Sequence, residues 1–215
     1  LGHEPGAFLV SIPARASAKG SVKGSSAESP LPGIRRLLKL ATTDSTQTLA
    51  RKLAVEGAED STLVWALRQT KGRGRMERRW QSGTGGLYFS LVLKPPFPPS
   101  KLADFSLLTA EAAAEAISGL TGLRMEVKPP NDVMTRDSEG VLRKVCGILA
   151  EASGGCLSLD WLVVGIGINV NNSPRLPPDA LKASSLKKLT GRSWPLEGVL
   201  RAFLDEFYRR YNRFY

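Results

Sequence analysis

The sequence is poor in histidine and cysteine, and it has no long hydrophobic run. His3 is the one histidine among 215 residues, which excludes catalytic triads, Cys-His dyads and two-histidine metal sites. Cys146 and Cys156 are too few for a disulfide framework, and their spacing does not outline a zinc site. No apolar run reaches the roughly 18 to 20 residues that cross a bilayer. We therefore expect a cytoplasmic protein without membrane association, whose chemistry relies on Lys, Arg, Asp, Glu and main-chain amides.

Basic residues are abundant by comparison. Lys and Arg number 30 against 20 Asp and Glu, which gives a formal net charge of +10. Such a charge predicts attraction to anions, including nucleic acids, nucleotides, acidic proteins and anionic membranes. Charge alone does not choose among these partners.

The chain divides by composition into a tail and a globular part. Residues 1–33 are rich in Gly, Ser, Ala and Pro, a composition that predicts a flexible tail or linker. Residues 34–215 predict one domain with several short strands and segregated helices. The clearest helices are one capped by Ser100 and an amphipathic one near the C-terminus. Segregated strands and helices indicate an α+β fold with a mixed sheet.

The stretch KGRGRMERRW concentrates cations and glycines in a loop between two predicted strands. Gly72 and Gly74 alternate with Arg73 and Arg75, so the backbone can approach a ligand while guanidinium groups bind its carboxylate or phosphate oxygens. A solvated basic loop and a nucleic-acid-binding loop are the alternatives. The sequence has no helix-turn-helix, zinc-finger or RNP signature, and it has neither of the familiar phosphate loops.

Three further motifs carry polar groups at strand ends. KPPNDV presents a cation, an amide and a carboxylate, although an ordinary Asn-Asp turn has the same composition. In RKVCGILAE, Lys144 precedes an apolar strand and Gly147 permits close approach, although such a lysine is often only an edge residue. In GIGINVN, Gly165 and Gly167 leave space above a sheet and Asn169 can bind a base or sugar; thinning for packing is the alternative.

Together these motifs resemble those of biotin protein ligases. DSTQ, RQTKGRGRMERRW, GGLYFSLVL, KPPNDV, RKVCGILAE and GIGINVN follow one another in the family's order, and the resemblance runs from about Leu38 to the C-terminus. It implies a class II synthetase-like biotin/lipoate ligase fold with a largely antiparallel sheet flanked by helices. It also implies that biotin and ATP form biotinyl-5'-AMP, from which a lysine of a biotin carboxyl carrier protein accepts biotin. No enzyme nucleophile is required, in agreement with the scarcity of histidine.

The resemblance assigns a role to each motif. The biotin contacts it implies are Ser45, Thr46, Gln47, Gln69, Gly72, Arg73, Gly74, Arg75, Lys144 and Gly147. The ATP contacts it implies are Arg75, Arg78, Trp80, Asn131, Lys144 and Asn169, with Trp80 covering the adenine. Arg73, Arg75 and Lys144 would offset the repulsion between the carboxylate and the α-phosphate. Lys144, Arg75 and Asp132 form the expected catalytic group, with Asp132 as general base toward the acceptor lysine.

The resemblance also implies partners for this chain, and the chain departs from the family pattern at some positions. Mg²⁺ should accompany ATP, although the sequence does not identify its ligands, and homodimer formation is left open. Gln47 replaces the usual asparagine, and Pro129 replaces the usual tryptophan. We expect no C-terminal SH3-like domain and no N-terminal DNA-binding domain. Cys146 should pack in the interior rather than react.

Two alternatives to a biotin ligase stay open from the sequence. A lipoate or octanoate ligase of the same fold would use the same adenylate chemistry on a longer apolar acid. A basic nucleic-acid-binding module would have no catalysis, and its affinity would fall steeply with salt. We also expect the basic loop to be mobile until an anion neutralises its like charges.

Overall fold

The computed structural model describes residues 31–174 and 182–215, so most of the predicted tail lies outside the described residues. Seven strands form one sheet in the order β1-β2-β3-β7-β6-β5-β4. The strands are β1 (Arg36–Leu40), β2 (Thr62–Ala66), β3 (Leu87–Leu93), β4 (Glu126–Lys128), β5 (Asp132–Arg136), β6 (Leu142–Gly154) and β7 (Leu159–Ile168). The helices are α1 (Thr46–Val55), α2 (Leu102–Thr121), α3 (Leu186–Thr190) and α4 (Leu196–Tyr211). Within the described residues, no helix is both long and apolar enough to span a bilayer.

Strand directions confirm the predicted mixed sheet. β1 pairs with β2 in parallel, whereas every other neighbouring pair in the sheet is antiparallel. The chain from β4 to β7 therefore runs through hairpins with short connections. The α+β class and the largely antiparallel character expected from the sequence are both confirmed.

The two faces of the sheet have different occupants, and β7 shows this most clearly. Side chains alternate along a strand, so Leu162, Val164 and Ile168 enter the main core while Val163 enters a smaller cluster beneath α1. The main core includes aromatic side chains of α2 and α4, with Phe89 of β3 edge-to-face against Phe203 at 5.2 Å between ring centroids. On the opposite face α1 packs on β2, β3 and β7. The glycine-containing end of β7 remains beside it, and the candidate site is built there.

Helix ends agree with the sequence in part. Ser45 caps α1, accepting a hydrogen bond from the Thr48 amide at 3.4 Å, and Gly122 ends α2 in the left-handed conformation with φ 73°. The prediction of Ser100 as the cap of α2 is wrong. Ser100 lies inside a 3₁₀ turn, Pro99–Lys101, that leads directly into the helix, so its backbone is not at the extended position that a capping side chain requires.

The ends of the described globular part pack against each other. The predicted face of α4 is inward as expected, with Phe203, Phe207 and Tyr211 buried. Leu31 also joins the main core, and Gly33 at φ +69° lies against the ring of Tyr208, where a Cβ atom would collide. The packed fold therefore includes residues ahead of the boundary predicted at residue 34.

Candidate active site

A cavity of about 560 Å³ opens over the middle strands on the α1 side of the sheet. Its lining includes 14 of the predicted site residues: Ser45, Thr46, Gln47, Gln69, Arg73, Gly74, Arg75, Arg78, Trp80, Asn131, Asp132, Lys144, Gly147 and Asn169. These positions are spread over more than 120 residues of sequence, so the fold brings together what the motifs only suggested. Gly72 is the exception. It lies against the Trp80 carbonyl and the Ser82 hydroxyl, where it lets the two arms of the basic loop approach each other.

Glycines on two paired strands form the floor of the cavity, where they leave space that side chains would fill. Gly147 of β6 stands opposite Gly167 of β7, and Gly165 lies one alternation further along the same face. A Cβ atom at Gly147 would lie 2.8 Å from the Trp80 ring, and one at Gly165 would collide with the amide of Gln47. The glycines thus admit the side chains of Trp80 and Gln47, as well as lining the cavity.

One end of the cavity is a network of neutral polar groups. Gln69 Oε1 accepts from the Thr46 amide at 2.7 Å and from the Thr46 hydroxyl at 3.1 Å, while Gln69 Nε2 donates to Ser82 Oγ at 2.7 Å. Ser90 Oγ donates toward Thr46 Oγ1 at 3.0 Å or Gln47 Oε1 at 3.1 Å. Thr46 and Gln47 open α1, so the helix start presents its side chains directly to this end. The arrangement can recognise a small neutral head group that has both donors and acceptors.

Gln47 is bonded to the protein through both atoms of its amide. Its Nε2 lies 2.9 Å from Glu151 Oε2, 3.3 Å from the Val163 carbonyl and 3.4 Å from the Leu149 carbonyl. The side chain is buried, so each of these donors and acceptors needs a partner. The Gln47 side chain thus links α1 to the strands β6 and β7.

The basic loop crosses the cavity as a short hairpin arm. The Trp80 amide donates to the Gly72 carbonyl at 2.9 Å, and Arg73 bridges to Arg79 across the arm. Met76 and Glu77 turn the tip with positive φ angles of 53° and 58°. The arm lies beside the pocket, as expected for a loop between two strands of the sheet.

The cations of this arm have partners in the protein. Lys71 Nζ lies 3.2 Å from Asp44, the Arg73 guanidinium binds both oxygens of Glu151 at 2.8 and 3.0 Å, and Arg75 donates to Asn131 Oδ1 at 3.0 Å. The two carboxylates offset part of the repulsion among the like charges of the loop, and its mobility without a ligand stays a prediction. The Glu151 carboxylate neutralises Arg73, whereas the Asn131 amide leaves the charge of Arg75 unchanged. Arg75 can therefore offer a positive charge to a ligand that Arg73 cannot.

Lys144 and Asp132 face each other at the far end of the cavity. The Lys144 Nζ to Asp132 Oδ1 distance is 2.5 Å, and the two side chains are only 20% and 15% exposed. Lys144 Nζ also lies 5.3 Å from the centroid of the Trp80 ring, within range of a cation-π contact. The cavity is therefore neutral and polar at one end and carries this ion pair at the other.

A bulge in β6 places Lys144 in the site. The register of β5 against β6 shifts between Val133 and Met134, so Lys144 and Gly147 both reach the cavity although they are three residues apart. In a regular strand two residues at that spacing point to opposite faces. A Cβ atom at Gly147 would lie 3.3 Å from Lys144 Nζ, which shows how closely the two positions meet.

Several lining residues were not identified from the sequence. They are Met76, Arg79, Gln81, Phe89, Ser90, Ile148, Leu149, Ile166, Pro174 and Ala183. Ser90 carried a usable signal, because it is a single polar residue within the apolar strand LYFSLVL and is fully buried. The apolar members form the wall between the two polar ends and resemble ordinary core residues in the sequence.

The cysteines and acidic residues that the structure describes do not form a metal centre. Among the residues of the described ranges, no group of three or more His, Cys, Asp or Glu side chains could hold a metal ion. Cys146 is fully buried, and its burial raises the thiol pKa to about 12. The predicted packing role of Cys146 is confirmed.

Comparison with known proteins defines the class. The model of the biotin/lipoate A/B protein ligase family matches residues 40–169, and the chain belongs to that family.

Within the family, similarity points toward the biotin-specific members. The chain is 39% identical to the bifunctional ligase/repressor BirA of Bacillus subtilis, over 78% of this chain and 51% of the relative. It is 35% identical to the biotin–[acetyl-CoA-carboxylase] ligase of Paracoccus denitrificans, over 79% of this chain and 70% of the relative. The chain thus spans about half the length of the BirA relative that it matches.

Solved structures agree with this placement. The biotin protein ligase of Aquifex aeolicus in complex with biotin and ATP superposes with a TM-score of 0.67 at 36% identity, covering 83% of this chain and 71% of that one. The Leishmania major biotin protein ligase, in complex with biotinyl-5-AMP, has a TM-score of 0.70 at 21% identity and shows likeness of fold alone.

Proposed function

We propose that this chain is the catalytic part of an ATP-dependent biotin–protein ligase, which forms biotinyl-5'-AMP and transfers biotin to a lysine of a carboxyl carrier protein. One observation carries the proposal: the cavity ends in neutral hydrogen-bonding groups on one side, and on the other in Arg75 and in the ion pair of Lys144 with Asp132. Biotin has the matching order of parts, with a ureido head, an aliphatic chain and a terminal carboxylate.

The polar end supports biotin over the acids used by lipoate or octanoate ligases. The buried side chains of Thr46, Gln47 and Ser90 offer both donors and acceptors there. A ureido ring can satisfy such groups, whereas a dithiolane or a methyl terminus cannot. These groups bond one another in the structure, so a ureido ring would exchange some of those bonds for its own, whereas a head group that separates the network without hydrogen-bonding leaves buried polar groups without a partner, at about 1–3 kcal/mol each.

The first step requires two anions to meet. A carboxylate oxygen of biotin attacks the α-phosphorus of ATP, an acyl–O–P bond forms, the bond between the α-phosphorus and the bridging oxygen breaks, and pyrophosphate leaves. Arg75 and Lys144 line the cavity, and they would offset the charge that builds there. Arg78 and Asn169 line the same cavity and would hold the nucleotide, with Trp80 against the adenine. Mg²⁺ would arrive with the triphosphate, since the described residues offer no metal cluster of their own.

The second step transfers biotin to the acceptor. The lysine amine attacks the acyl carbon, the acyl–O–P bond breaks, AMP leaves and the attacking nitrogen loses a proton. Asp132 lines the cavity beside Lys144, and it would receive that proton. The net charge of +10 favours an acidic carrier domain as the partner.

Biotin-dependent exchange of labelled pyrophosphate into ATP tests the first step, and mass spectrometry of a carrier domain tests the second. We expect exchange with biotin, and one biotin added to the carrier lysine. Lipoic acid and octanoic acid at equal concentration are the matched controls. Exchange that is faster with either acid than with biotin would reject the assignment, and salt-dependent nucleic-acid binding with no exchange would favour the non-catalytic alternative.

A further inference from the structure

The tip of the basic loop is joined to the sheet by side chains. Its base is held through backbone hydrogen bonds, such as Thr70 to Thr43 at 3.0 Å and Lys71 to Asp44 at 2.8 Å. Beyond Gly72 the backbone bonds run within the arm itself, from Trp80 to Gly72 and from Gly74 to Arg78. The position of the tip over the cavity therefore depends on contacts made by its side chains.

The alternation of cations and glycines places those contacts on one side of the arm. Residues two apart in an extended segment point the same way, so Lys71, Arg73 and Arg75 all reach down toward the rest of the protein. Their partners belong to three different segments: Asp44 before α1, Glu151 on β6 and Asn131 before β5. The arm is thus secured at successive points across the mouth of the cavity.

Glu151 forms the strongest of these attachments. Its two oxygens bind the two terminal nitrogens of Arg73, a bidentate arrangement, and its Oε2 also accepts from Gln47 Nε2 at 2.9 Å. The Glu151 side chain is 23% exposed, against 63% for Asp44, so solvent screens this ion pair less. One carboxylate thereby joins the loop, the start of α1 and strand β6.

The charges of the arm are consequently divided between two tasks. Arg73 forms an ion pair with Glu151, whereas the partner of Arg75 is a neutral amide that adds no negative charge. An anionic ligand would then draw on Arg75 while Arg73 keeps the loop in place.

We propose that Glu151 is a positioning residue of this site: through Arg73 and Gln47 it fixes the tip of the basic loop and the polar end of the cavity in the arrangement that accepts the small-molecule substrate. The expected effect on biotin affinity rests on the proposed function, whereas the expected effect on the loop rests on the contacts described above. Glu151 itself touches neither substrate nor reacting atoms in this scheme. Its effect is on the affinity for biotin rather than on the rate of the chemical step.

Glu151→Gln isolates the ion pair, because the new amide oxygen can still accept from Gln47. We expect the KM for biotin in pyrophosphate exchange to rise about fivefold, the effect of losing one partly exposed ion pair, with kcat within about twofold. Trypsin should cleave the Arg75–Arg79 segment about fivefold faster in the absence of biotin and ATP. Glu197→Gln, which breaks a similarly exposed ion pair with Arg201 on α4, is the matched control and should change neither quantity.

The double variant Arg73→Gln with Glu151→Gln separates the proposed role from general destabilisation. If Glu151 acts through Arg73, the double variant has a biotin KM no higher than Arg73→Gln alone. A Tm loss larger than that of Glu197→Gln, with unchanged loop cleavage, would assign Glu151 a merely structural role and overturn the proposal. So would faster cleavage with an unchanged KM, or a raised KM with unchanged cleavage. Should the wild-type protein show no exchange with biotin, the proposed function fails, and the cleavage rates still decide whether Glu151 secures the loop.

Discussion

Replacing Lys144 should separate the chemistry of the site from its stability. Lys144→Met keeps most of the side-chain volume but leaves Asp132 without its cation at 2.5 Å. Removing one partner of a fully buried pair costs about 3–5 kcal/mol, and with side chains 20% and 15% exposed we expect ~1–3 kcal/mol. At about 2–4 °C per kcal/mol for a chain of this size, the Tm should fall by roughly 2–12 °C.

The catalytic loss should be larger than this and should not follow stability. Removal of one preorganised electrostatic group typically lowers kcat by about 10²–10³, so pyrophosphate exchange should fall by that factor. Adding Asp132→Asn removes the orphaned carboxylate, and the double variant should regain most of the Tm while adenylation stays low. Exchange within about tenfold of the wild type for Lys144→Met would refute the assignment of Lys144. Recovery of exchange in the double variant would show that the lysine acts only by neutralising Asp132.

Three further predictions concern other parts of the molecule. Gly165→Ala should destabilise the protein by about 1–3 kcal/mol and weaken biotin binding in calorimetry, because the new Cβ atom collides with a buried amide above the strand. Burial raises the pKa of Asp137, but hydrogen bonds from the Arg143 guanidinium and from backbone amides hold this pKa below its ordinary value. Protonation of Asp137 on acidification should therefore lower the stability of the fold. Asp137→Asn should reduce the fall of the unfolding free energy below about pH 5. Iodoacetamide at pH 8 should label exposed Cys156 but not buried Cys146, as read by mass spectrometry.

Each of these has a clear contrary result. Unchanged biotin affinity in Gly165→Ala would mean that the Gln47 amide moves aside without a loss of binding free energy. An identical acid profile for Asp137→Asn and wild type would show that the turn between β5 and β6 contributes nothing to acid stability. The sign follows because a lowered folded-state pKa adds stability above the unfolded pKa and loses it as the pH falls through the folded one. Equal labelling of both thiols would require frequent opening of the core around β6.

The parts of the site that could be predicted from sequence are those fixed by local structure. The space above β7 follows from the absence of a Cβ atom at Gly165 and Gly167, which the motif GIGINVN shows directly. The order of the motifs also indicated which segments would meet.

The remaining features depend on register and on distant pairing, which no short pattern encodes. Lys144 and Gly147 share a face only because of the bulge opposite Val133, and a regular strand would have separated them. The partner of Arg73 is 78 positions away along the chain, so the loop was expected to repel itself rather than to be anchored. Ser100 failed as a cap because a 3₁₀ turn begins at Pro99 and already includes Ser100.

The alternation of β7 restricts how this protein can change in length. From Leu162 to Ile168, successive residues face by turns the aromatic core and the α1 side of the sheet, where Gly165 and Gly167 line the cavity. A substitution can alter one of these without disturbing the other, but a deletion of one residue would exchange the two sets along the rest of the strand. Single-residue insertions and deletions should therefore be accepted in the turns beside this strand and rejected within it.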